Sequence, residues 1–419
     1  MRAIASAKRK WPHRRVAEKA REDSTMSDQP LAGIRVVDLT QIYQGPYAAF
    51  LMATAGAEVI KVEPPGGERL RGAGAKRTPM SFAMLNSNKQ SMTLNLKHER
   101  GKAILKDLVA KADVLLENFA PGVMDKLGVG WEVLHELNPK LVYVSGSGYG
   151  LSGPDRDRLA MDHTIQAAAG IMSVTGDADR PPGRAGGAPC DIMGGIHMYA
   201  GALSALVGRN TSGKGTRVEV SMLESMYFTL CSELTVYQFT GELPQRNSAR
   251  SPAGSCPYSR YRCKDGYIAI ICVSEAHWKS ILEVIGRKDL IGHPDYASPG
   301  ARRAIEDEVN GMIEAWSSQL PRDEAYARMR DARVAVSPIR DLEEVRTDPH
   351  MHERKMLSWV NHKDLGDIVL PNSPIRYSDY DLADVNVYPV VGEHTESILR
   401  SWLDLDADTV RDLADDGVV

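Results

Sequence analysis

The sequence holds few of the features that mark several common classes of protein. Its 5 cysteines are odd in number and form no C-x-x-C pair, which argues against a zinc knuckle and against a disulfide framework. No apolar run approaches the roughly 20 residues that a membrane-spanning helix needs. The formal net charge of −4 gives no sign of a nucleic-acid-binding surface. We therefore expect a protein of the reducing cytoplasm, with neither a membrane nor a nucleic acid as its partner.

Familiar nucleotide and catalytic motifs are also missing. The stretch Val36–Glu63 has the pattern of a strand, a turn, a helix and a second strand, but its turn contains only Gly45 and Pro46 in place of G-x-G-x-x-G. No G-x-S-x-G nucleophile elbow occurs. The segment Gly208–Gly215 resembles a phosphate-binding loop, but a glycine stands where Ser or Thr binds magnesium and a helix precedes it. We predict a simple turn into a strand there.

The histidines do not show the spacing of a metal site. His163 and His197 stand alone, and His350 and His352 have no acidic or cysteine ligand at the usual spacing. We expect surface or hydrogen-bonded histidines, no bound metal and no tightly bound cofactor.

Predicted strands and helices alternate through the first part of the chain. The pattern predicts a strand at Met92–Leu96, a helix over about Glu99–Lys111 and a strand at Val114–Glu117. Such alternation favours an α/β fold with a doubly wound parallel sheet. Ligands of these sheets bind beyond the carboxyl ends of the strands. We expect three segments to surround one crevice there: Thr40–Pro46, Glu117–Gly122 and Ser145–Gly150.

Composition changes divide the chain into parts. Residues 1–26 are rich in Arg and Lys, and we expect a disordered tail or an upstream start before Met26. A transit peptide is the weaker interpretation, because acidic residues lie near the end of this segment. The alternation stops near Tyr237, which indicates a smaller α+β domain. The predicted organisation is a large Rossmann-like domain at 27–210, a linker at 211–236, the small domain at 237–334, a linker at 335–360 and a C-terminal return to the large domain at 361–419.

Several phrases, taken together and in order, resemble one family over nearly the whole chain. They include "VVDLTQIYQGPYAAFLMATAGAEVIKVEPPGG", "NSNKQSMTLNLKHERGK", "LLENFAPGVMDKLGV", "NPKLVYVSGSGYG", "TSGKGTRVEVSML" and "GEHTESIL". The resemblance is to the family III CoA-transferases and the related α-methylacyl-CoA racemases. It implies that the glycine-poor first turn binds the adenosine diphosphate part of coenzyme A, which serves as substrate.

The same resemblance implies a particular architecture. Family members have a large Rossmann-like domain built from both chain ends, a smaller domain between them, and two chains threaded through each other as interlocked rings. An interlocked homodimer is therefore expected here.

By resemblance, the nucleophile is Asp191 of "APCDIMGG". A carboxylate suits CoA transfer because an acyl anhydride and a CoA thioester conserve the energy of the original thioester, which a serine ester would largely lose. Taken without the family, an aspartate before a helical run is more often an N-cap. The two roles are compatible, because the positive end of a helix also favours the ionised carboxylate.

The resemblance also assigns the residues of the CoA groove. Lys97 and Lys126 are suited to phosphate contact, although each alone would be a solvated surface lysine. Without the resemblance, Phe119 would be interpreted as a core residue. Asp162 resembles an acidic residue beside the thioester, and without the resemblance it would be interpreted as another helix cap. The full expected set is Tyr43, Gln44, Leu94, Lys97, Asn118, Phe119, Ala120, Lys126 and Asp162.

Departures from the family pattern affect the phosphate contacts and the lid. Formyl-CoA transferase has arginine at the positions of Pro64 and Lys126, which predicts a looser or rebuilt phosphate site. Its glycine-only loop over the active site is replaced by the segment Ser251–Tyr261, in which Gly254 is the glycine retained. A bulkier lid leaves formate and oxalate specificity open, so the expected substrates are an acyl-CoA and a small carboxylic or dicarboxylic acid.

Three other functions stay open at this point. A racemase would use a histidine in a "GHD" phrase together with the aspartate, but here "AMDHT" has Met161, which exchanges no proton, unless His163 is repositioned. The missing G-x-G-x-x-G counts against a nucleotide-dependent oxidoreductase. A CoA-binding protein without catalysis is the last alternative.

Overall fold

The structure is a computed structural model that describes residues 29–72, 79–247, 254–362, 366–381 and 383–419. The predicted tail, residues 1–26, lies outside the described residues, and so does the start of the predicted lid, residues 251–253. The described part of that segment leads into a strand at Tyr258 and does not line the cavity described below. Its role as a lid stays a prediction.

A six-stranded parallel sheet forms the centre of the molecule, which confirms the predicted α/β class. Its order is β3-β2-β1-β4-β5-β6, so the chain moves outward from β1 to β3 and then returns to place β4 beside β1. Such a reversal of strand order opens a crevice at the carboxyl ends of β1 and β4. The strands are β1 Arg35–Asp38, β2 Glu58–Glu63, β3 Gln90–Thr93, β4 Val114–Glu117, β5 Val142–Ser147 and β6 Arg217–Ser221.

Helices cover both faces of this sheet because its strands bury apolar side chains on both sides. Val36 and Val37 are adjacent and both fully buried, but they belong to separate cores on opposite faces. The helices of this part are α1 Gln44–Thr54, α2 Met80–Asn86, α3 Glu99–Ala110, α4 Val123–Lys126, α5 Trp131–Leu137, α6 Asp162–Ala168, α7 Ile171–Val174, α8 Pro189–Ser212, α9 Met222–Tyr227 and α10 Cys231–Thr240.

The long helix α8 packs against α1 and against β5 and β6. Among the described residues it is the one helix long and apolar enough to cross a membrane, but its buried face gives it the position of a core helix. It ends at Ser212, and Gly213 follows in the left-handed conformation at φ +70°. The P-loop-like phrase is therefore a helix end and a turn into β6, as predicted.

A second core surrounds a three-stranded antiparallel sheet of order β7-β8-β9, and a hairpin, β10-β11, follows. These are the small antiparallel sheets expected of an α+β part, while the domain boundaries given above stay a prediction. The elements are β7 Tyr258–Cys263, β8 Gly266–Ile271, α11 Glu275–Val284, α12 Pro299–Ala304, α13 Glu306–Ser317, α14 Arg322–Asp331, β9 Ala335–Pro338, α15 Leu342–Arg346, α16 Pro349–Glu353, β10 Leu357–His362 and β11 Gly366–Pro371.

The end of the chain returns to the large sheet. The final helices are α17 Thr395–Leu403 and α18 Ala407–Asp415. Trp402 of α17 and Leu413 of α18 are buried in the same core as Val37 of β1. Thr395 also binds β3, because its Oγ1 accepts a hydrogen bond from the Thr93 backbone N–H at 3.1 Å. The first strand of the described chain and its last helices therefore share one core.

Candidate active site

A cavity of about 640 Å³ lies at the carboxyl edge of the sheet, where the strand order reverses. The segments after β1, β4 and β5 all contribute to its wall, as the alternation of strands and helices predicted. Helix α8 closes one side with Asp191. Residues lining it from the three segments are Gln41, Ile42, Gln44, Asn118, Phe119, Ala120, Pro121, Ser147 and Gly148.

Asp191 is the third residue of α8 and lines the cavity although only 7% of its surface is exposed. The N-cap of α8 is Ala188, which corrects the interpretation of Asp191 as an N-cap. Burial raises the pKa of Asp191 to about 7, and the negative charge of Asp162 adds to this. The residue is thus a buried carboxyl group that ionises near neutral pH.

The side chain of Asp162, the first residue of α6, caps the start of α8. Its Oδ1 accepts hydrogen bonds from the backbone N–H groups of Cys190 at 2.8 Å and Asp191 at 3.4 Å. Gln166 donates to its Oδ2 at 2.6 Å and accepts from the Ala185 N–H at 2.9 Å. Asp162 does not line the cavity, so in this structure it holds the backbone of the candidate nucleophile in place.

Glycines let the first turn of α1 approach α8 closely. A Cβ on Gly195 would lie 2.5 Å from the Gln44 carbonyl oxygen, and one on Gly194 would lie 2.8 Å from Gln44 Nε2. Real Cβ atoms do not come so near. The small residues of α8 therefore bring Gln44, which is 2% exposed, against the helix that carries Asp191.

The turn after β1 is held in an unusual conformation. Ile42 has φ +68°, a left-handed value that a β-branched residue rarely adopts. Its N–H donates to Glu68 Oε2 at 3.1 Å. Asn118 clamps the preceding residue, because its Oδ1 accepts from the Gln41 N–H at 2.7 Å and its Nδ2 donates to the Gln41 carbonyl at 2.9 Å. The Asn118 amide thus positions the turn within the cavity wall.

A network of buried charges lies under this turn. Lys89 donates to Asp38 Oδ2 at 2.9 Å, and both side chains are fully buried. Lys61 donates to the Thr40 carbonyl at 2.9 Å, and Arg71 forms a two-pronged pair with Glu63. Burial alone would raise the pKa of Asp38, but the ammonium groups of Lys89 and Lys61 outweigh it and hold that pKa below its usual range.

A second cavity of about 500 Å³ adjoins the first. Leu94 and Lys97, two residues expected in the CoA groove, line it. Phe119 lies between the cavities and contributes to both walls. The residues common to the two walls are Gln41, Pro64, Glu68, Phe119 and Val123.

Three of the expected groove residues line neither cavity: Tyr43, Lys126 and Asp162. Tyr43 is the N-cap of α1, and Lys126 is an exposed residue at the end of α4.

In contrast, three arginines that no motif indicated line the larger cavity: Arg69, Arg156 and Arg158. Arg69 begins a short 3-10 helix, and Arg156 and Arg158 lie in the loop after β5. None of them belongs to a periodic pattern, so their approach to the cavity depends on the fold alone.

Comparisons with known proteins show the family of the chain. A family model described as CoA-transferase family III matches residues 31–395. The formyl-CoA:oxalate CoA-transferase of Streptomyces coelicolor is 35% identical, over 94% of this chain and 100% of the relative. The succinyl-CoA–L-malate CoA-transferase beta subunit of Chloroflexus aurantiacus is 32% identical, over 95% and 100%. A CAIB/BAIF family protein from Brucella suis has a similar structure, with a TM-score of 0.80, 32% identity and coverage of 90% and 100%.

Proposed function

The chain belongs to CoA-transferase family III, and we propose that it moves CoA from an acyl-CoA thioester to a free carboxylic acid through covalent intermediates on Asp191. The observation that carries this proposal is the position of Asp191. A buried carboxyl group at the start of α8 lines the same cavity as the three loops at the switch point of the sheet.

The proposed reaction has two exchanges and balances without a cofactor. An oxygen of Asp191 attacks the thioester carbonyl carbon, and the C–S bond breaks as the C–O bond forms, which leaves an acyl anhydride and CoA thiolate. The thiolate then attacks the Asp191 carbonyl carbon, and the donor acid leaves as a carboxylate. The resulting aspartyl-CoA thioester reacts with the acceptor acid through the same two steps in reverse. Thioester energy is conserved throughout.

The raised pKa of Asp191 supports this role. A carboxylate that is poorly solvated is a stronger nucleophile than one in water, and a pKa of about 7 keeps a large fraction ionised at neutral pH. No salt bridge joins Asp191 to a basic side chain within the described ranges, so no partner charge restrains the attack.

The acceptor acid is proposed to be a small dicarboxylate. The relatives named above act on oxalate or on L-malate, which are dicarboxylic acids. Arg156 and Arg158 line the cavity and could pair with a second carboxylate or with the phosphates of CoA. The variant Arg156→Ala distinguishes the two partners. If the arginine binds the acid, the KM for the acid rises; if it binds the phosphates of CoA, the KM for acyl-CoA rises.

Racemisation is not supported. The relatives carry transferase names, and Met161 lines the cavity where the racemase pattern requires a histidine. His163 is exposed on α6 and is not part of the cavity wall.

We also propose that two chains form the family's interlocked dimer. Helix α10 buries none of its residues within the described part of the chain, and two large phenylalanines are open to solvent, Phe239 of α10 at 87% and Phe228 just before it at 79%. Apolar surface of this kind is typical of an interface. Light scattering after size-exclusion chromatography should give twice the chain mass, and a monomer mass would contradict the proposal.

Trapping of the intermediate tests the mechanism. The protein is mixed with a panel of short acyl-CoA donors and hydroxylamine, and the peptide that contains Asp191 is analysed by mass spectrometry. We expect a hydroxamate on Asp191 with at least one donor. Mass spectrometry of the CoA esters formed from one donor and a mixture of acids identifies the acceptor. Exchange without any modification of Asp191 would contradict the covalent mechanism.

A further inference from the structure

The Nε2 atom of Gln44 is buried and has no hydrogen-bond partner among the residues that the structure describes. Gln44 is nevertheless part of the wall of the cavity that contains Asp191. Nearly all buried polar atoms in folded proteins are hydrogen-bonded, and an exception in a cavity points to a partner on the ligand. Gln44 therefore offers a donor that the described part of the chain leaves unused.

The packing places this donor against Gly194, on the helix that carries Asp191. A Cβ on Gly194 would lie 2.8 Å from Gln44 Nε2. Gly194 follows Asp191 by three residues on α8, and residues at this spacing lie side by side on one face of a helix, about 5–6 Å apart. On the opposite side, a Cβ on Gly146 would lie 2.9 Å from Gln44 Oε1. Two glycines thus leave the space that the carboxamide occupies.

The carboxamide of Gln44 does not donate a hydrogen bond to Asp191. The pKa of Asp191 is raised by burial and by Asp162, and no hydrogen bond from Gln44 acts on it. A donor beside a carboxylate nucleophile, but not bound to it, has the arrangement of an oxyanion site, in which the reacting carbonyl lies within reach of both groups.

We propose that Gln44 Nε2 donates a hydrogen bond to the carbonyl oxygen of the acyl group while Asp191 attacks it. The inference rests on the proposed function. As the bond from Asp191 to the carbonyl carbon forms, an electron pair moves onto the carbonyl oxygen, and the N–H of Gln44 stabilises that charge. The pair then returns as the C–S bond breaks and CoA leaves as thiolate. The same donor serves the last step, in which CoA thiolate attacks the acyl carbonyl of the acceptor's anhydride, and no proton is transferred.

The test uses Gln44→Met, which keeps the length of the side chain but removes the donor, and Gln44→Asn, which keeps a donor but withdraws it. The full-length protein is assayed for CoA exchange and, in single turnovers, for acylation of Asp191. We expect Gln44→Met to lower kcat by about 10²–10³-fold with less than about a threefold change in the KM for acyl-CoA. The surface variant Gln319→Ala is the matched control.

A merely structural role for Gln44 would give a different result. In that case Gln44→Met would weaken CoA binding, measured by calorimetry, or lower the melting temperature. Single-turnover acylation would stay near the wild-type rate. That outcome, or a kcat within about threefold of wild type in Gln44→Met, overturns the inference. If Gln44→Met does not fold, Gln44→Asn decides the question by the same criterion. Failure of the proposed function is distinct, because exchange would then also survive Asp191→Asn.

Discussion

Two buried aspartates near the six-stranded sheet have opposite surroundings. Asp38, at the end of β1, pairs with Lys89 in a fully buried network. Asp191, at the start of α8, has another acid, Asp162, near it, and its pKa is raised to about 7. The pKa of Asp38 is instead held low by Lys89 and Lys61. A buried carboxylate that is paired supports the fold, whereas one left unpaired beside a cavity is available to react.

Removing the unpaired carboxylate should have the largest effect. Asp191→Asn keeps the shape of the side chain but abolishes the nucleophile, so we expect kcat for CoA exchange to fall by about 10³-fold or more. Steady-state assays with several acyl donors measure this. Asp408→Asn, on the exposed surface of α18, is the control and should keep wild-type activity. A fall of less than tenfold in Asp191→Asn would remove Asp191 from the mechanism.

Breaking the ion pair of Asp38 should affect the stability of the protein more than its catalysis. Lys89→Met leaves Asp38 buried without its main cation, and we expect the free energy of unfolding to fall by about 3–5 kcal/mol. Urea unfolding followed by circular dichroism measures the change. The double variant Asp38→Asn/Lys89→Met leaves no buried charge behind and should lose less than the single variant. Equal losses would show that the pairing does not matter.

The stability difference between Asp191→Asn and wild type should depend on pH in a direction that identifies the raised pKa of Asp191. The ordinary aspartate pKa is 3.8 and the folded value is about 7, so folding favours the protonated form. The contribution of Asp191 to stability is complete below about pH 4 and is lost as the pH rises through about 7. The asparagine of the variant does not titrate, so the variant shows no such loss of stability. The variant should therefore be more stable than wild type at pH 8, by up to about 4 kcal/mol, and equal to it near pH 4.

Asp162→Asn should give the smallest and most specific change. Its charge raises the pKa of Asp191, so removing it lowers that pKa, and the acid limb of the kcat/KM profile moves to lower pH. Rate profiles between pH 5 and 9 measure the shift. Because the amide oxygen of asparagine can still accept from the Cys190 N–H, helix α8 keeps its cap. An unmoved acid limb would mean that Asp162 acts only through the backbone.

Much of the fold followed from local patterns. The predicted strand Val114–Glu117 is β4 with the same ends, and the helix predicted over about Glu99–Lys111 is α3. The strand predicted at Met92–Leu96 instead occupies Gln90–Thr93, because the chain turns away after its last pair with β2. Pattern and propensity define the core of an element better than its ends.

The site was less predictable than the fold. Resemblance led to Asp191, Gln44, Asn118, Phe119 and Ala120, which the structure brings to one cavity, while their roles remain predictions. It did not indicate the arginines of that cavity or the capping of α8 by Asp162. These arrangements join residues from different loops, and no spacing along the chain reports them.

By itself, the sequence determined the alternation of strands and helices, the apolar strands that require cover on both faces, and an aspartate near the start of a glycine-containing helix. These features depend on near neighbours in the chain. The tertiary structure decided which buried carboxylate is paired, since Lys89 meets Asp38 across 51 residues and Asp162 reaches α8 across 28. It also decided that Gln44 Nε2, packed against Gly194 of α8, has no hydrogen-bond partner among the described residues. Charge pairing and hydrogen bonding depend on distances in space that the folded chain alone sets.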